Sequence, residues 1–342
     1  MESGYAEMER HVAAFPAMWA EMWQASAGFR PDVQTDPRAI VLSGMGGSAI
    51  GGALLVALIG DAATVPIVSN RTYSVPEWAD SRTIAVCTSY SGNTEETLAA
   101  FKNAGRQGAE RVAITTGGRL AELCQDEDVP CHLIPPGLPP RAALPFTFVP
   151  LLNLARHMNL LSPAQDDIDE TTRALEALSE SESGTTGRSD EIAARIKDRI
   201  PVIYSGPGLM SAVNLRWRGQ IQENAKSLAF GNVYPELNHN EIVGWQSSQS
   251  TTRDVVVIEL ADEGDGDSIR ARMDLTRTLL EDKAADWITI HSTGPNRLRR
   301  MMWTVLLGDL VSLKLAALRG VDPMPVELID ALKSGLAATR AG

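Results

Sequence analysis

The chain has 342 residues, of which 44% are hydrophobic and 22% charged, and its formal net charge is −12 with a pI near 5.0. The length predicts about two domains of ~100–200 residues each, and the composition is that of an ordinary globular protein. General nucleic-acid binding depends on clustered basic residues. Because this chain is strongly acidic, we expect no nucleic-acid partner.

The chain begins with MESGYAEMERH, which is acidic and polar, whereas a signal peptide is basic and then apolar. No continuous apolar run approaches the ~18–20 residues that span a bilayer. We therefore expect a cytoplasmic protein with no membrane partner. The three cysteines form no CxxC pair, and the five histidines form no HxxxH motif or His/Cys cluster, so we expect no metal site.

The first half of the chain alternates between strand-like and helix-like segments. Residues 1–30 carry apolar side chains at helical spacing and predict a leading helix. Five short apolar segments then predict strands: AIVLSG, VPIVSN, TIAVCTS, RVAITT and CHLIPP. Because helical stretches separate most of them, the pattern predicts a parallel sheet covered on both faces. This is a doubly wound α/β domain.

The second half repeats this alternation after an acidic, Ser/Gly-rich stretch at residues 166–190. The predicted strands are IPVIYSGPG, DVVVIEL and DWITI, and the predicted helices span residues 209–226 and 296–318. We therefore predict two doubly wound parallel-sheet α/β domains in tandem. The expected boundaries are residues 1–155, a connecting segment at 156–192, and residues 193–342.

The turn after the first strand, SGMGGSAIGG, contains Gly44-x-Gly46-x-x-Ala49, which fits the dinucleotide fingerprint G-x-G-x-x-G/A. A site for NAD also needs an acidic residue at the end of the second strand, and here that strand ends in Ser69, Asn70 and Arg71. An Asn-Arg pair suits the 2′-phosphate of NADP. An NADP-dependent oxidoreductase is therefore one alternative.

The turn after the third strand, TSYSGNTEET, concentrates hydroxyls where a helix begins. Ser89, Ser91 and Thr94 would add donors to the free N–H groups of the helix N-terminus, an arrangement that binds anions. Gly92 allows close approach of the backbone. The alternative is an ordinary N-cap formed by Asn93 or Thr94.

SYSGNTEET resembles the phosphosugar-binding signature of the sugar isomerase (SIS) domain, a flavodoxin-like fold. Further segments are similar to those of one branch, the bifunctional phosphoglucose/phosphomannose isomerases: SGMGGSAIGG, RTYSVPEW, LPPRAALPF, ENAKSLAFGNVYPELNHNEIVGW and LRGVDPMPVELIDALK. They run from Gly44 to Lys333 in the family's order. The resemblance implies interconversion of glucose 6-phosphate, and of mannose 6-phosphate, with fructose 6-phosphate through a cis-enediol(ate). It implies no cofactor.

The resemblance also implies a role for individual residues of this chain. A phosphate group would be held by the backbone of two glycines and by four hydroxyls: Gly46, Gly47, Ser48, Ser89, Ser91 and Thr94. Glu223 would be the base that moves the proton between C2 and C1, and Arg141, which follows four prolines, would stabilise the enediolate. Lys333 would assist ring opening.

His239 would also assist ring opening, and by resemblance it reaches the site from the neighbouring subunit of a homodimer.

One alternative remains within the same superfamily, a non-catalytic SIS regulator that binds a phosphosugar. A regulator would need the hydroxyl-rich turn but not Arg141, Glu223 and His239 together. Lys314 departs from the family pattern, which favours an aromatic residue at that position.

Overall fold

The computed structural model describes residues 4–33, 36–161 and 163–341. Within these ranges nine strands form two parallel sheets, one of five strands and one of four. The two doubly wound sheets confirm the predicted fold class. The strands of the first sheet, in the order β2-β1-β3-β4-β5, are β1 (Ala39–Ser43), β2 (Ile67–Asn70), β3 (Thr83–Ser89), β4 (Glu110–Thr115) and β5 (Cys131–Leu133).

The central strands β1 and β3 of the first sheet are buried along their whole length, as their nearly continuous apolar sequences predicted. Ile40 and Leu42 belong to one hydrophobic cluster, whereas Val41 between them belongs to another on the opposite face. The covering helices are α1 (Gly4–Ala13), α2 (Phe15–Ala25), α3 (Gly46–Ile59), α4 (Glu95–Arg106), α5 (Gly118–Asp126) and α6 (Leu144–His157). The predicted leading helix is thus two helices, and Pro16 lies in the first turn of the second.

The second sheet has the order β7-β6-β8-β9. Its strands are β6 (Ile200–Ser205), β7 (Phe230–Val233), β8 (Val255–Asp262) and β9 (Asp286–Ser292). The remaining helices are α7 (Gln165–Ser181), α8 (Arg188–Ile196), α9 (Leu209–Ala225), α10 (Glu241–Gly244), α11 (Gln249–Thr252), α12 (Asp267–Leu280), α13 (Arg297–Arg319) and α14 (Glu327–Ala341). The acidic stretch at 166–190 is therefore largely helical, and α7 and α8 both pack against α13.

By length and composition alone, α13 could cross a membrane. In this fold it is a core helix, because most of its side chains are buried against α7, α8 and α9. A buried helix is apolar on all sides for the same reason that a membrane helix is.

The two halves of the chain meet where α3 packs against α9. Since α3 begins at the carboxyl end of β1, this contact brings α9 close to the edge where the turns of the first sheet lie. Clefts at the carboxyl ends of parallel strands are the usual binding sites in such folds.

Candidate active site

Two turns of the first sheet lie against each other at the carboxyl ends of β1 and β3, which are neighbouring parallel strands. The backbone N–H of Tyr90 donates to Ser48 Oγ at 2.9 Å, which joins the turn after β3 to the first turn of α3. Ser48 and Ser89 are buried. The fold therefore brings the glycine-rich and hydroxyl-rich turns together.

The hydroxyl groups of the turn after β3 form hydrogen bonds with one another and with the backbone beside the N-terminus of α4. Ser89 Oγ donates to Thr94 Oγ1 at 3.0 Å, and Ser91 Oγ accepts from the backbone N–H of Asn93 at 3.2 Å. Thr94 occupies the N-cap position, but its side chain makes no capping hydrogen bond. The Thr94 side chain therefore does not cap the helix, and its hydroxyl instead accepts the hydrogen bond from Ser89.

Gly92 is required by the shape of this turn. Its φ is +68°, in the left-handed region, and a Cβ atom there would collide with the backbone carbonyl of Gly117. The turn after β3 therefore packs directly onto the turn after β4. No side chain larger than hydrogen fits between them.

We expect Gly92→Ala to destabilise the protein by about 2–4 kcal/mol, since it combines a left-handed alanine with a backbone collision. The displaced turn should also bind anions such as phosphate esters more weakly, because the hydroxyls and the free N–H groups at the start of α4 would move. Urea unfolding and calorimetric titration would measure the two effects. Gly28→Ala is the matched control, because a Cβ at Gly28 meets open space. An unfolding midpoint equal to that of the unmodified protein would contradict the prediction.

A small cavity of about 130 Å³ lies between the glycine-rich turn and α9. One face of α9 forms its wall, and the lining residues on that face are Leu215, Arg216, Gly219, Gln220 and Glu223. Gly46, Gly47, Ile50, Arg71 and Arg141 complete the lining. The cavity therefore joins residues from both halves of the chain.

Arg141 is firmly held, and only 4% of its surface is exposed. Its Nε donates to Asn224 Oδ1 at 2.7 Å, and its Nη2 donates to the carbonyls of Pro323 and Met324. Burial lowers the pKa of the Arg141 guanidinium, and the charge of Glu223 opposes this shift. A buried guanidinium held by so many acceptors is preorganised to stabilise negative charge.

Glu223 faces Arg141 across the cavity, with its Oε2 3.7 Å from Arg141 Nη1. About a third of the Glu223 side chain remains exposed. The carboxylate is therefore accessible to a ligand, and the buried guanidinium of Arg141 can meet a ligand through the cavity that it lines. Lys226 lies just beyond, and its Nζ donates to the carbonyls of Glu223 and Pro323.

Gly47 links Arg141 to the glycine-rich turn. A Cβ at Gly47 would lie 2.7 Å from the carbonyl oxygen of Pro140. The loop that carries Arg141 is thus in contact with the start of α3, and the prolines before it restrict its backbone.

His239 and Lys333 do not line this cavity. His239 ends a 3₁₀ turn (Glu236–His239), and Lys333 lies on α14; both are exposed. The segment that carries His239 is nevertheless fixed, because Glu241 accepts from Tyr204 OH at 2.6 Å and from Asn232 Nδ2 at 2.8 Å. Lys314, the departure from the family pattern, donates to the carbonyl of Gly184 at 2.7 Å and pairs with Asp190, away from the cavity.

Three residues of the site were not predicted from the sequence: Arg216, Gln220 and Asn224. Arg216 pairs with Asp309 and also donates to the carbonyl of Arg141 at 3.0 Å. Arg216, Gln220 and Glu223 recur at helical spacing on α9, and this spacing was the available signal. In the described part of the chain, no group of three or more His, Cys, Asp or Glu side chains is placed to hold a metal ion.

Comparison with known proteins identifies the family of this chain. Residues 186–336 match the family model described as the bacterial phospho-glucose isomerase C-terminal SIS domain. A bifunctional phosphoglucose/phosphomannose isomerase from Caldicellulosiruptor bescii is 42% identical over 87% of this chain and 89% of that protein. One from Aquifex aeolicus is 36% identical over 88% of this chain and 91% of that protein.

Among solved structures, a hypothetical protein from Thermus thermophilus superposes with a TM-score of 0.76. The match covers 99% of this chain and 95% of that one at 15% identity, so it supports the fold alone. Two relatives above 30% identity over most of the chain establish more than the fold. The chain belongs to the family of bifunctional phosphoglucose/phosphomannose isomerases.

Proposed function

We propose that this protein interconverts glucose 6-phosphate, and also mannose 6-phosphate, with fructose 6-phosphate through a cis-enediol(ate) intermediate. The observation that carries the proposal is the accessible carboxylate of Glu223 opposite the buried guanidinium of Arg141, in a cavity that the glycine-rich turn also lines. A base opposite a fixed cation is what enediolate formation requires. Family membership supports the same activity.

The backbone of Gly46 and Gly47 and the hydroxyls of Ser48, Ser89, Ser91 and Thr94 hold the phosphate. Amides and hydroxyls can bind the dianion at the N-termini of α3 and α4 without taking part in proton transfer. This end of the substrate does not react. It fixes the sugar so that C1 and C2 lie near Glu223.

Glu223 removes the proton from C2 of the open-chain aldose, and negative charge develops on the oxygen at C1 of the enediolate, where the guanidinium of Arg141 stabilises it. The hydroxyl proton at C2 then passes to the oxygen at C1, and Glu223 returns its proton to C1, so that C2 becomes the carbonyl carbon of the ketose. Because glucose and mannose 6-phosphates differ only at C2, both give the same enediolate. Neither an organic cofactor nor a metal is needed for this proton transfer.

Ring opening uses Lys333, and it also uses His239 of the partner subunit in a homodimer. Three observations support an assembly of this kind. His239 is exposed on a rigid segment, α14 carries exposed leucines at 87% and 64% (Leu328 and Leu332), and neither His239 nor Lys333 lines the cavity of its own chain. An imidazole has its ordinary pKa near neutrality and suits proton exchange at the ring oxygen.

Mixing two inactive variants tests the shared site. We expect Glu223→Gln and His239→Ala homodimers to be inactive, whereas subunit exchange between them should restore roughly a quarter of normal activity, because half of the dimers regain one complete site. Size-exclusion chromatography would confirm the dimer. A mixture that stays inactive after full exchange would contradict the assignment of His239 to the partner.

We further propose a cytoplasmic location and a division into domains at residues 1–155 and 193–342, with 156–192 between them.

The function itself is tested by a coupled assay with each hexose 6-phosphate, without added metal. The comparisons favour neither a non-catalytic regulator nor an NADP-dependent oxidoreductase. Binding of the phosphosugars without turnover would support the regulator, and NADP binding in a titration would support the oxidoreductase.

A further inference from the structure

Glu241 belongs to the segment at residues 236–244, which also carries His239, and two strands of the second sheet hold its carboxylate. Oε1 accepts from the phenol of Tyr204 on β6 at 2.6 Å, and Oε2 accepts from Nδ2 of Asn232 on β7 at 2.8 Å. Tyr204 is buried, and its OH also accepts from Nε1 of Trp245 at 2.9 Å. Both carboxylate oxygens are therefore bound by donors of the chain itself.

The two donors that hold Glu241 are themselves fixed. Burial and the neighbouring carboxylate of Glu241 raise the pKa of Tyr204, so the phenol stays protonated and donates near neutral pH. The carbonyl of Asn232 accepts from Nδ2 of Asn214, a buried residue of α9, at 3.1 Å. Glu241 thus connects its segment to β6 and, through β7, to the helix that carries Glu223.

The backbone that carries His239 is held on both sides of that residue. On one side, Asn238 Nδ2 donates to Oγ1 of Thr276 on α12 at 2.8 Å. On the other side is Glu241, whose own N–H donates to Asn240 Oδ1 at 2.6 Å. The imidazole is exposed, so its direction depends on the backbone from which it projects.

Glu241 is not part of the catalytic cavity of its own chain. Among the residues that the structure describes, neither Glu241 nor Tyr204 contributes to the lining of the cavity that contains Glu223. Because both oxygens of Glu241 already accept hydrogen bonds, its carboxylate is not free to bind a ligand. We therefore expect any effect of Glu241 on turnover to pass through the segment that it holds.

We propose that Glu241 is a positioning residue for His239, which it holds so that the imidazole points at the sugar ring oxygen in the partner's active site. The proposal rests on the isomerase function given above and extends it to a residue that touches no substrate. Proton exchange needs the imidazole within hydrogen-bond reach of the ring oxygen, and a displacement of about 1 Å can cost about 100-fold in rate. A carboxylate suits this task because it accepts from two donors at once, whereas an amide has one acceptor oxygen.

Steady-state kinetics of Glu241→Gln test the proposal, since the substitution places an NH₂ group against one of the two donors. We expect kcat for glucose 6-phosphate to fall by about 10- to 100-fold and KM to change by less than about threefold, because the phosphate site is untouched. The isotope effect of deuterium at C2 should decrease, because ring opening would then limit the rate. An unchanged kcat would overturn the proposal.

Glu281→Gln is the matched control, since it removes an exposed carboxylate of the same half, which pairs with Arg277 at the surface. Its kinetics should match those of the unmodified enzyme. Tyr204→Phe tests the same contact without altering Glu241 and should lower kcat by about 3- to 10-fold. It keeps the proposal testable if Glu241→Gln does not fold, and a normal kcat in folded Tyr204→Phe would overturn it.

Subunit mixing identifies the residue through which Glu241 acts. After full exchange, Glu223→Gln mixed with Glu241→Gln should regain about a quarter of normal activity, because half of the dimers then contain one complete site. His239→Ala mixed with Glu241→Gln should not exceed the activity of Glu241→Gln alone, since both changes impair the imidazole. The opposite pattern would mean that Glu241 acts on Glu223 of its own chain, and it would overturn the proposal.

NMR signals of the His239 imidazole separate this proposal from the function on which it rests. They are identified by their absence from the spectrum of His239→Ala, and observing them requires no turnover. We expect them to shift or broaden in Glu241→Gln and to stay unchanged in Glu281→Gln. If the unmodified protein lacks isomerase activity but the signals change in this way, the function fails and the positioning of His239 stands. If the protein is an active isomerase, and Glu241→Gln alters neither the signals nor kcat, the positioning fails and the function stands.

Discussion

Glu223→Gln is expected to lower kcat by about a thousandfold or more, because an amide cannot accept the C2 proton. The glutamine side chain of this variant would still place an oxygen near Arg141 Nη1, where Glu223 Oε2 now lies at 3.7 Å. The substitution therefore removes the base and changes little else in the cavity. Affinity for glucitol 6-phosphate should change by less than about threefold, since the phosphate is held elsewhere.

Two further variants make this experiment specific. Glu176→Gln is the matched control, because Glu176 is an exposed glutamate on helix α7, and it should leave kcat unchanged. Glu223→Asp keeps the carboxylate but withdraws it by one methylene, so we expect an intermediate loss of about 10- to 100-fold. Near-normal turnover by Glu223→Gln, measured in the coupled assay, would exclude Glu223 as the base.

The first sheet could be predicted from local sequence. Each strand is a short apolar run, and each is followed by residues that end a strand or begin a helix, such as Gly44 and Ser91. A strand buried on both faces needs an apolar residue at every position. Because β1 and β3 are parallel neighbours, their carboxyl ends had to lie side by side, and the contact from Tyr90 to Ser48 follows from that topology.

Two elements of the second half, β7 and α12, could not be predicted because their sequences carry only weak signals of secondary structure. The edge strand β7 was missed because it has four residues and its sequence, FGNV, is neither alternating nor continuously apolar. Helix α12 was missed because an acidic turn precedes it and only three of its residues are buried. Such elements are determined by the tertiary contacts that they make, and local propensity contributes little to them.

The approach of Arg141 to Glu223 shows the limit of local reasoning most clearly. The two residues lie 82 positions apart in sequence, in different halves of the chain, and tertiary contacts such as the packing of α3 on α9 bring them together. Their presence in one active site was expected from family resemblance, and spacing alone gave no reason for it. Their catalytic roles, and those of His239 and Lys333, stay predictions until the variants are measured.

Arg216→Met is expected to destabilise the protein by about 3–5 kcal/mol, which would make it the most damaging of the substitutions proposed for stability. Arg216 and Asp309 form a buried ion pair with 3% and 2% of their side chains exposed. Without Arg216, the Asp309 carboxylate would be left buried and uncompensated. Urea unfolding would measure the loss.

The loss should depend on pH. Burial raises the pKa of the Asp309 carboxyl, and Arg216 opposes that rise. A raised pKa in the folded state means that stability is greatest below the unfolded pKa of about 3.9 and falls as the pH rises through the folded value. The destabilisation of Arg216→Met should therefore be larger at pH 7 than at pH 4.5. An equal loss at both pH values would show that the carboxylate is not the cause.

The double variant Arg216→Met/Asp309→Leu separates stability from catalysis. Replacing both charges by apolar residues should recover much of the stability, because no buried charge remains unpaired. Activity should stay low, since Arg216 Nη2 also donates to the carbonyl of Arg141 at 3.0 Å and helps to fix the residue that faces Glu223. If the double variant regained full activity together with stability, Arg216 would be a purely structural residue. Continued loss of kcat in a stable double variant would instead identify Arg216 as the residue that positions Arg141.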